Sequence, residues 1–94
     1  MPAAPSRYAR RPDVRYRRVG DEAVVIRQEA AEVVVLNEVA ARILELADAG
    51  RTRDEMLEGL LAEFDVPRDR LAADLDAFLA ELESGGLIAP LGAP

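Results

Sequence analysis

The side chains that could carry out covalent chemistry are few in this sequence. It contains no cysteine and no histidine, and all twelve of its basic residues are arginine. Apart from the tyrosines, the hydroxyl groups belong to Ser6, Thr52 and Ser84, and none of them has a histidine or lysine to act as its base. The sequence therefore predicts that the chain is not an enzyme.

Carboxylates are plentiful, but their spacing does not predict a metal site. Of the eighteen acidic residues, Asp65, Asp69 and Asp74 come nearest to a cluster, and they lack the alternating spacing of a calcium-binding loop. Cysteine and histidine, the usual ligands of transition metals, are absent, and there is no glycine-rich phosphate loop. We therefore predict no metal and no cofactor, and we expect most of these acids to be solvated.

Charge is distributed unevenly along the 94 residues, whose net charge is −6. Residues 1–18 hold six arginines against one acid, whereas residues 19–94 hold six arginines against seventeen acids. Neutralisation of phosphates supplies much of the affinity for nucleic acid, so an acidic body disfavours such binding. No apolar run reaches the length of a signal peptide or a membrane span. We predict a cytoplasmic protein that binds neither nucleic acid nor membrane.

Three short segments have the pattern of β-strands. Residues 14–19 alternate in polarity and end at the turn signal Gly20-Asp21, and residues 23–27 are apolar and β-branched. Residues 32–36, with the sequence EVVVL, have the highest β-propensity in the chain. The spacing predicts an antiparallel meander, so the third predicted strand should lie at an edge of the sheet.

Three amphipathic helices are predicted after the strands. Asn37 can cap the first helix and Gly50 ends it. Thr52 and Glu55 form a capping box for the second helix, and Pro67 opens the third and longest. Paired glycines end the third helix, and we expect the two apolar residues that follow them to fold back onto the core.

The order of these elements indicates one α+β domain of the winged helix-turn-helix class, with a three-stranded antiparallel sheet followed by three helices. We place this domain at residues 13–89. Residues 1–12, rich in arginine and proline, are predicted to be a mobile tail, and residues 90–94 a frayed tail. Only four residues are aromatic, so the core should be aliphatic.

Two surfaces of this fold indicate different functions. A helix-turn-helix protein binds DNA through its last helix, but here that helix carries Arg68 and Arg70 against five acids and should repel phosphate. The predicted edge strand presents unpaired backbone N–H and C=O groups, to which a peptide can add as a further strand. An edge covered by the protein's own helices is the alternative. We therefore favour a peptide-binding module over a DNA-binding regulator.

The strand-to-helix junction, the second helix cap and the third helix together carry a family resemblance. The segments are VVLNEVAARI at 34–43, GRTRDE at 50–55, FDV at 64–66, DL at 74–75, FL at 78–79, Leu82, and GL at 86–87. In this order and spacing they resemble the PqqD-like family, named after the pyrroloquinoline quinone biosynthesis protein D. The resemblance spans about residues 12–88. It implies a stand-alone winged-helix element that recognises the precursor of a ribosomally synthesised, post-translationally modified peptide.

The resemblance also implies how such a precursor binds. In this family the leader segment of the precursor adds as a strand to the third strand and packs against the third helix. The backbone that would pair with the leader here is that of Glu32, Val33, Val34, Val35 and Leu36. The helix side chains that would line the groove are Arg70, Asp74, Ala77, Phe78 and Glu81, and Asp74 matches the family's acidic position.

The implied partners are the leader peptide and a modifying enzyme of the same pathway, such as a radical SAM enzyme or a lasso-type peptidase or cyclase. We expect a monomer, although an open strand edge also permits a dimer. Two alternatives remain at this point. One is a winged-helix regulator that binds DNA, and the other is a structural subunit that stabilises a modifying enzyme.

Overall fold

The computed structural model describes residues 7–91. Its elements in chain order are β1 (Arg7–Arg10), β2 (Val14–Val19), β3 (Glu22–Arg27), β4 (Glu32–Leu36), α1 (Glu38–Asp48), α2 (Arg53–Glu63), α3 (Arg68–Ser84) and β5 (Ile88–Leu91). The strands form a three-stranded sheet in the order β2-β3-β4 and a two-stranded ribbon of β1 and β5. The predicted α+β class, the meander and the three helices are confirmed, and the third predicted strand is β4.

The three-stranded sheet is antiparallel throughout, with one tight turn and one longer connection. Gly20 has a φ of 62° and forms with Asp21 the two-residue turn between β2 and β3. Positive φ at the first turn position is typical of a type II′ hairpin, and glycine adopts it without steric cost. Residues 28–31 connect β3 to β4, which lies at an edge of the sheet as the sequence predicts.

The two faces of this sheet differ in what covers them. The buried side chains of the inner face are Val14, Ala23, Val25 and Leu36. Helix α1 packs across this face, and Tyr16 Oη on β2 donates a hydrogen bond to Asp48 Oδ2 on α1 at 3.2 Å. On the opposite, outer face every side chain is half-buried or exposed.

Capping interactions fix where the first two helices begin. Asn37 Oδ1 accepts a hydrogen bond from the backbone N–H of Ala40 at 3.0 Å. Thr52 Oγ1 accepts from Glu55 N–H at 3.1 Å, while Glu55 Oε1 accepts from Thr52 N–H at 2.9 Å. Such caps contribute about 1 kcal/mol each. Helix α3 starts after Pro67 without a side-chain cap. The capping roles predicted for Asn37 and for the Thr52–Glu55 box are confirmed.

A single aliphatic core joins the inner face of the sheet to the helices, as predicted. Its largest fully buried side chains are Ile43, Leu44, Met56, Leu60, Leu71, Leu75, Ile88, Val14 and Val25. Both phenylalanines are only partly buried and pack at the periphery of this core. Most of the stabilising apolar burial therefore comes from leucine, isoleucine and valine.

The beginning of the chain differs from the predicted mobile tail. Within residues 1–12, residues 7–10 form β1, which pairs antiparallel with β5. Ion pairs anchor this strand: Arg7 Nη1 lies 3.0 Å from Glu55 Oε1, and Arg10 Nε lies 3.2 Å from Asp48 Oδ1. The sequence shows these arginines only as a run of like charge, because their partners are 48 and 38 residues away in the chain. Residues 1–6 lie outside the described residues.

The end of the chain differs from its prediction in the same way. The predicted frayed tail starts at residue 90, but Pro90 and Leu91 still belong to β5. Leu87 and Ile88 are buried against the core, as the sequence predicts for the apolar pair after the glycines. Once Ile88 is fixed in the core, the next residues lie alongside β1 and pair with it. Residues 92–94 lie outside the described residues.

Candidate functional site

The three-stranded sheet has β2 and β4 as its edge strands, and the outward side of β4 is the open edge next to the end of α3. In an antiparallel sheet, the backbone groups of successive residues point alternately to one neighbouring strand and to the other. The two-residue turn makes Val19 and Glu22 a hydrogen-bonded pair, and Gln28 N–H donates to Asp13 C=O at 3.0 Å at the other end of the same ladder. Glu22 and every second residue after it in β3 therefore bond to β2. The intervening residues of β3 bond to β4.

This alternation determines which backbone groups of β4 are open. Glu32, Val34 and Leu36 lie opposite the residues of β3 that turn towards them. Val33 and Val35 therefore direct their N–H and C=O groups away from the sheet, where no strand of the described chain pairs with them. Of the five predicted strand residues, these two supply the free hydrogen-bonding groups.

A groove lies between the inner side of β4 and the end of α3. Its volume is about 190 Å³. The residues that line this β4–α3 groove are Glu32, Val34, Leu36, Glu81, Leu82, Gly85 and Leu87. Four of them belong to the predicted site. The structure thus brings the inner-facing side chains of β4 together with one predicted residue of α3.

The β4–α3 groove has an apolar floor and an acidic rim. Leu36, Leu82 and Leu87 are at most 9% exposed, whereas the carboxylates of Glu32 and Glu81 belong to exposed residues. An apolar ligand side chain would lose its contact with water on this floor, which is favourable. A cationic ligand group would find carboxylates at the rim. The groove therefore suits a peptide with an apolar side chain next to a basic one.

Arg27 contacts one residue of the groove lining and one residue next to that lining. Its Nη1 lies 3.4 Å from Glu32 Oε1. Its guanidinium also packs on Gly86, where a Cβ atom would come within 2.8 Å of Nη2. Gly86 has a φ of 78°, so both its conformation and this close contact favour glycine. Arg27 Nε is buried without a hydrogen-bond partner among the described residues.

Of the predicted residues of α3, all except Glu81 lie outside the groove lining. Arg70, Asp74, Ala77 and Glu81 follow each other at spacings of three or four and form one exposed stripe along the helix. Only Glu81 lines the groove, and Arg70 lies about 16 Å from it along the helix axis. Phe78 is half-buried and packs against the core. A ligand that touches all of these residues must run along α3 beyond the groove.

The acids of α3 differ in whether they are already paired. Asp76 accepts hydrogen bonds from Arg53 Nε at 2.9 Å and from Arg53 Nη2 at 3.0 Å. These bonds hold the pKa of Asp76 below its ordinary value and raise the pKa of Arg53. Asp74 makes no ion pair with any described residue. Asp76 thus ties α3 to α2, while the carboxylate of Asp74 has no such structural contact.

Three groove residues were not predicted from the sequence: Leu82, Gly85 and Leu87. The two leucines were assigned to the core and the glycine to the helix end, and both assignments hold. A glycine pair after an apolar helix face was the available signal. It did not identify a groove, because the space beside β4 depends on where the end of α3 lies relative to that strand.

Among residues 7–91, no group of three or more histidine, cysteine, aspartate or glutamate side chains is placed to hold a metal ion. Within the same residues, no helix has both the length and the apolar character that crossing a bilayer requires.

Two solved structures have a similar fold. One is TbiB1 in complex with the TbiA(beta) leader peptide, with a TM-score of 0.79 and 26% sequence identity, covering 92% of this chain and 98% of that chain. The other is lasso peptide synthetase B1 complexed with the leader peptide, with a TM-score of 0.78 and 23% identity, covering 88% and 98%. Both similarities extend over nearly the whole of the compared chains. A search of curated proteins gives no significant match.

The family model described as coenzyme PQQ synthesis protein D (PqqD) matches residues 22–88. This region begins with β3 and ends at the first residue of β5. It includes the open edge of β4, the β4–α3 groove and all three helices. The match covers well over half of the sequence, and it agrees with the resemblance seen in the sequence alone. The chain belongs to the PqqD family.

Proposed function

We propose that this chain binds the leader segment of a ribosomally synthesised precursor peptide and delivers the precursor to a modifying enzyme. The observation that carries the proposal is the open edge of β4 next to a groove that α3 closes on one side. The two similar structures are both complexes with leader peptides, which supports the same class of ligand here. The modifying enzyme would be a radical SAM enzyme or a lasso-type peptidase or cyclase.

In the proposed complex the leader adds to β4 as a fourth strand of the sheet. Val33 and Val35 offer two N–H donors and two C=O acceptors to it. Each ladder bond contributes about 0.5–1.5 kcal/mol net. One side chain of the leader would enter the β4–α3 groove and be desolvated on its leucine floor, for about 1.5–3 kcal/mol. The cost of association offsets part of these gains, so we expect reversible binding that permits release of the modified precursor.

The charges of the site favour a leader with basic side chains. Glu32 and Glu81 lie at the rim of the groove, and Asp74 lies further along the same exposed stripe of α3. We propose that Asp74 accepts a hydrogen bond from the leader's backbone or from a basic side chain. Arg70, Ala77 and Phe78 would contact the leader only where it continues along α3.

The chain itself would supply binding and no catalysis, working as a cytoplasmic monomer. It has no histidine or cysteine to act as base or nucleophile. The acids along α3 also oppose the phosphate contacts through which a helix-turn-helix protein binds DNA. We therefore rank the DNA-binding regulator below the peptide-binding element.

The test is the binding of a fluorescent synthetic leader peptide from the same gene cluster, measured by anisotropy. Val35→Pro removes an outward N–H and places a proline ring against the incoming strand, and proline is tolerated on an edge strand where its nitrogen faces solvent. Val35→Thr is the matched control, because it keeps the N–H and the β-branched shape. We expect leader affinity to fall by more than about tenfold in Val35→Pro and by less than about threefold in Val35→Thr.

Circular dichroism and thermal unfolding would establish that Val35→Pro remains folded. A proline at Val34 would be a poor test, because the N–H of Val34 bonds to β3. Random duplex DNA serves as the competing ligand. Absence of leader binding up to about 1 mM, or salt-sensitive binding of DNA in its place, would contradict the proposal.

A further inference from the structure

The outer face of the three-stranded sheet is an exposed apolar surface whose side chains lie on the opposite side from the β4–α3 groove. Among residues 7–91, five large hydrophobic side chains are exposed, and four of them lie on this face. They are Val19 at 55%, Ile26 at 44%, Val33 at 63% and Val35 at 59% exposure. Single exposed apolar residues are ordinary, but a contiguous apolar patch marks an interaction surface.

The strand register places Ile26, Val33 and Val35 next to one another, together with the half-buried Val24. Ile26 lies directly opposite Val33, and Val24 lies directly opposite Val35. Side chains opposite each other in an antiparallel pair have their Cβ atoms about 4.5–5.5 Å apart, and the two pairs are separated by about 6.8 Å along the strands. The four residues therefore form one compact apolar block, which we call the outer block.

Two arginines continue the outer block on β2. Arg15 lies opposite Ile26, and Arg17 lies opposite Val24. Each row across the sheet thus runs from an arginine to two apolar side chains. A shallow depression of about 530 Å³ lies on β2 and β3, and residues of these rows, including both arginines, line it.

These two arginines make no ion pair with a described residue, although the protein as a whole is acidic. Arg15 Nη1 donates to the backbone C=O of Pro12 at 2.9 Å, and no carboxylate lies within ion-pair distance of Arg15 or Arg17. By contrast, Arg18 on the same strand pairs with Glu45 at 3.3 Å across the inner face. The outer block is therefore bordered by positive charge that the chain does not neutralise.

We propose that the outer face docks an acidic amphipathic helix of a partner protein. In α+β folds an apolar sheet face is normally covered by a helix, as α1 covers the inner face here. A helix whose apolar stripe lies on the outer block and whose flanking carboxylates meet Arg15 and Arg17 matches both the shape and the charge of the surface. This inference stands apart from the proposed leader site, since it rests on the other face of the sheet.

Other ligand classes fit these observations less well. Binding of single-stranded nucleic acid relies on aromatic side chains for base stacking, and the outer block has only valine and isoleucine. An anionic membrane surface attracts clusters of four or more basic residues, whereas two arginines border this block. A second copy joined through the same face would bring the arginine rows of both copies into one interface, where like charges repel.

The test uses the full chain, labelled with ¹⁵N, and two synthetic helical peptides of about four turns, each constrained by a lactam. Both carry the same leucine stripe, which is flanked by glutamate in the acidic peptide and by lysine in the basic peptide. A constrained helix cannot add to β4 as a strand. We expect the acidic peptide to shift the amide resonances of Arg15, Arg17, Val24 and Ile26, and to bind about tenfold more tightly than the basic peptide.

The double substitution Arg15→Glu with Arg17→Glu should reverse this order of affinities. Arg11→Glu with Arg51→Glu is the matched control, since it changes the net charge equally at exposed arginines away from the outer face. Leader binding should be unchanged in both double variants, so failure of the leader proposal would be visible separately. Shifts confined to β4 and α3, equal affinity for both peptides, or preferential binding of anionic vesicles, duplex DNA or a second copy would each overturn the proposal.

Discussion

The edge strands β1 and β4 differ in whether the rest of the chain pairs with both of their sides. β1 pairs with β5 on one side, Arg7 bridges to Thr52 on the other, and its arginines are neutralised by acids of α1 and α2. β4 pairs with β3 alone, and the outward groups of Val33 and Val35 have no partner strand among the described residues. Unpaired edges favour aggregation, and the open edge of β4 beside a groove is the feature on which the proposed leader site rests.

The difference between the two regions predicts opposite consequences for stability. Ile88, on the β1–β5 ribbon, is fully buried, whereas Val33 on β4 is 63% exposed. Ile88→Thr removes apolar volume and buries a hydroxyl group, so we expect the free energy of unfolding to fall by about 2–4 kcal/mol. Val33→Thr keeps the β-branched shape at an exposed site and should change it by less than about 0.5 kcal/mol. Urea unfolding monitored by circular dichroism measures both.

Leader binding, unlike stability, should be little affected by either substitution in the folded protein. Because Val33→Thr keeps the outward N–H and C=O groups, it should bind the leader nearly as well as the unchanged chain. Ile88→Thr should also bind it well under conditions where the variant is fully folded. Loss of leader affinity in folded Ile88→Thr would show that the ribbon contributes to the site and would break the division between the two regions.

A smaller effect on leader affinity should distinguish a carboxylate of α3 that lines the groove from one that does not. Glu81 lines the β4–α3 groove, while Glu83 is exposed on α3 outside that lining. Glu81→Arg should weaken binding of a basic leader by about threefold to tenfold, because it replaces a favourable charge contact with a repulsive one. Glu83→Arg makes the same change in net charge and should have little effect. The comparison is made by anisotropy at low and moderate salt, since screening should reduce the difference.

Equal weakening by Glu81→Arg and Glu83→Arg would mean that the leader responds only to the overall charge of α3. The groove would then not be the place where its basic side chain lies.

Local patterns predicted most of the fold, because caps, turns and strands depend on neighbours in the chain. Gly20-Asp21, the Asn37 cap and the capping box at Thr52 all occur where the sequence predicts them. The β1–β5 ribbon was missed, since it depends on contacts such as that of Arg7 with Glu55, which are distant in sequence. Periodicity also does not show where the end of α3 lies relative to β4, and that placement decides which side chains line the groove.

The site was predicted unevenly for a related reason. The edge position of β4 follows from the order of strands in a meander, and the structure confirms it. The sequence alone did not show that Val33 and Val35, and not Val34, carry the outward backbone groups, because this requires the register of both neighbouring ladders. On α3, only Glu81 of the predicted residues lines the groove. The roles proposed for Asp74, Arg70, Ala77 and Phe78 await the binding experiment.

The smallest predicted effect is a dependence of the free energy of unfolding on pH. It compares two acidic residues of α3, Asp76 and Asp74, of which only Asp76 makes an ion pair with a described residue. Hydrogen bonds from Arg53 lower the pKa of Asp76 in the folded state. A carboxyl group with a lowered pKa stabilises the fold above its unfolded pKa of about 3.9, and this stabilisation is lost as the pH falls through the folded pKa. Because the side chain of Asp76 is 60% exposed, solvent screening limits the contribution to less than about 1 kcal/mol.

Asp76→Asn should therefore lower the free energy of unfolding at pH 7 by about 0.5 kcal/mol, and the difference from the unchanged chain should vanish towards pH 2. Asp74→Asn is the matched control, because Asp74 makes no ion pair with a described residue. Its stability at pH 7 should equal that of the unchanged chain. Urea unfolding across this pH range tests the effect of Asp76→Asn, and a loss of stability at pH 7 in Asp74→Asn would show that Asp74 is also structural, leaving it less suited to bind the leader.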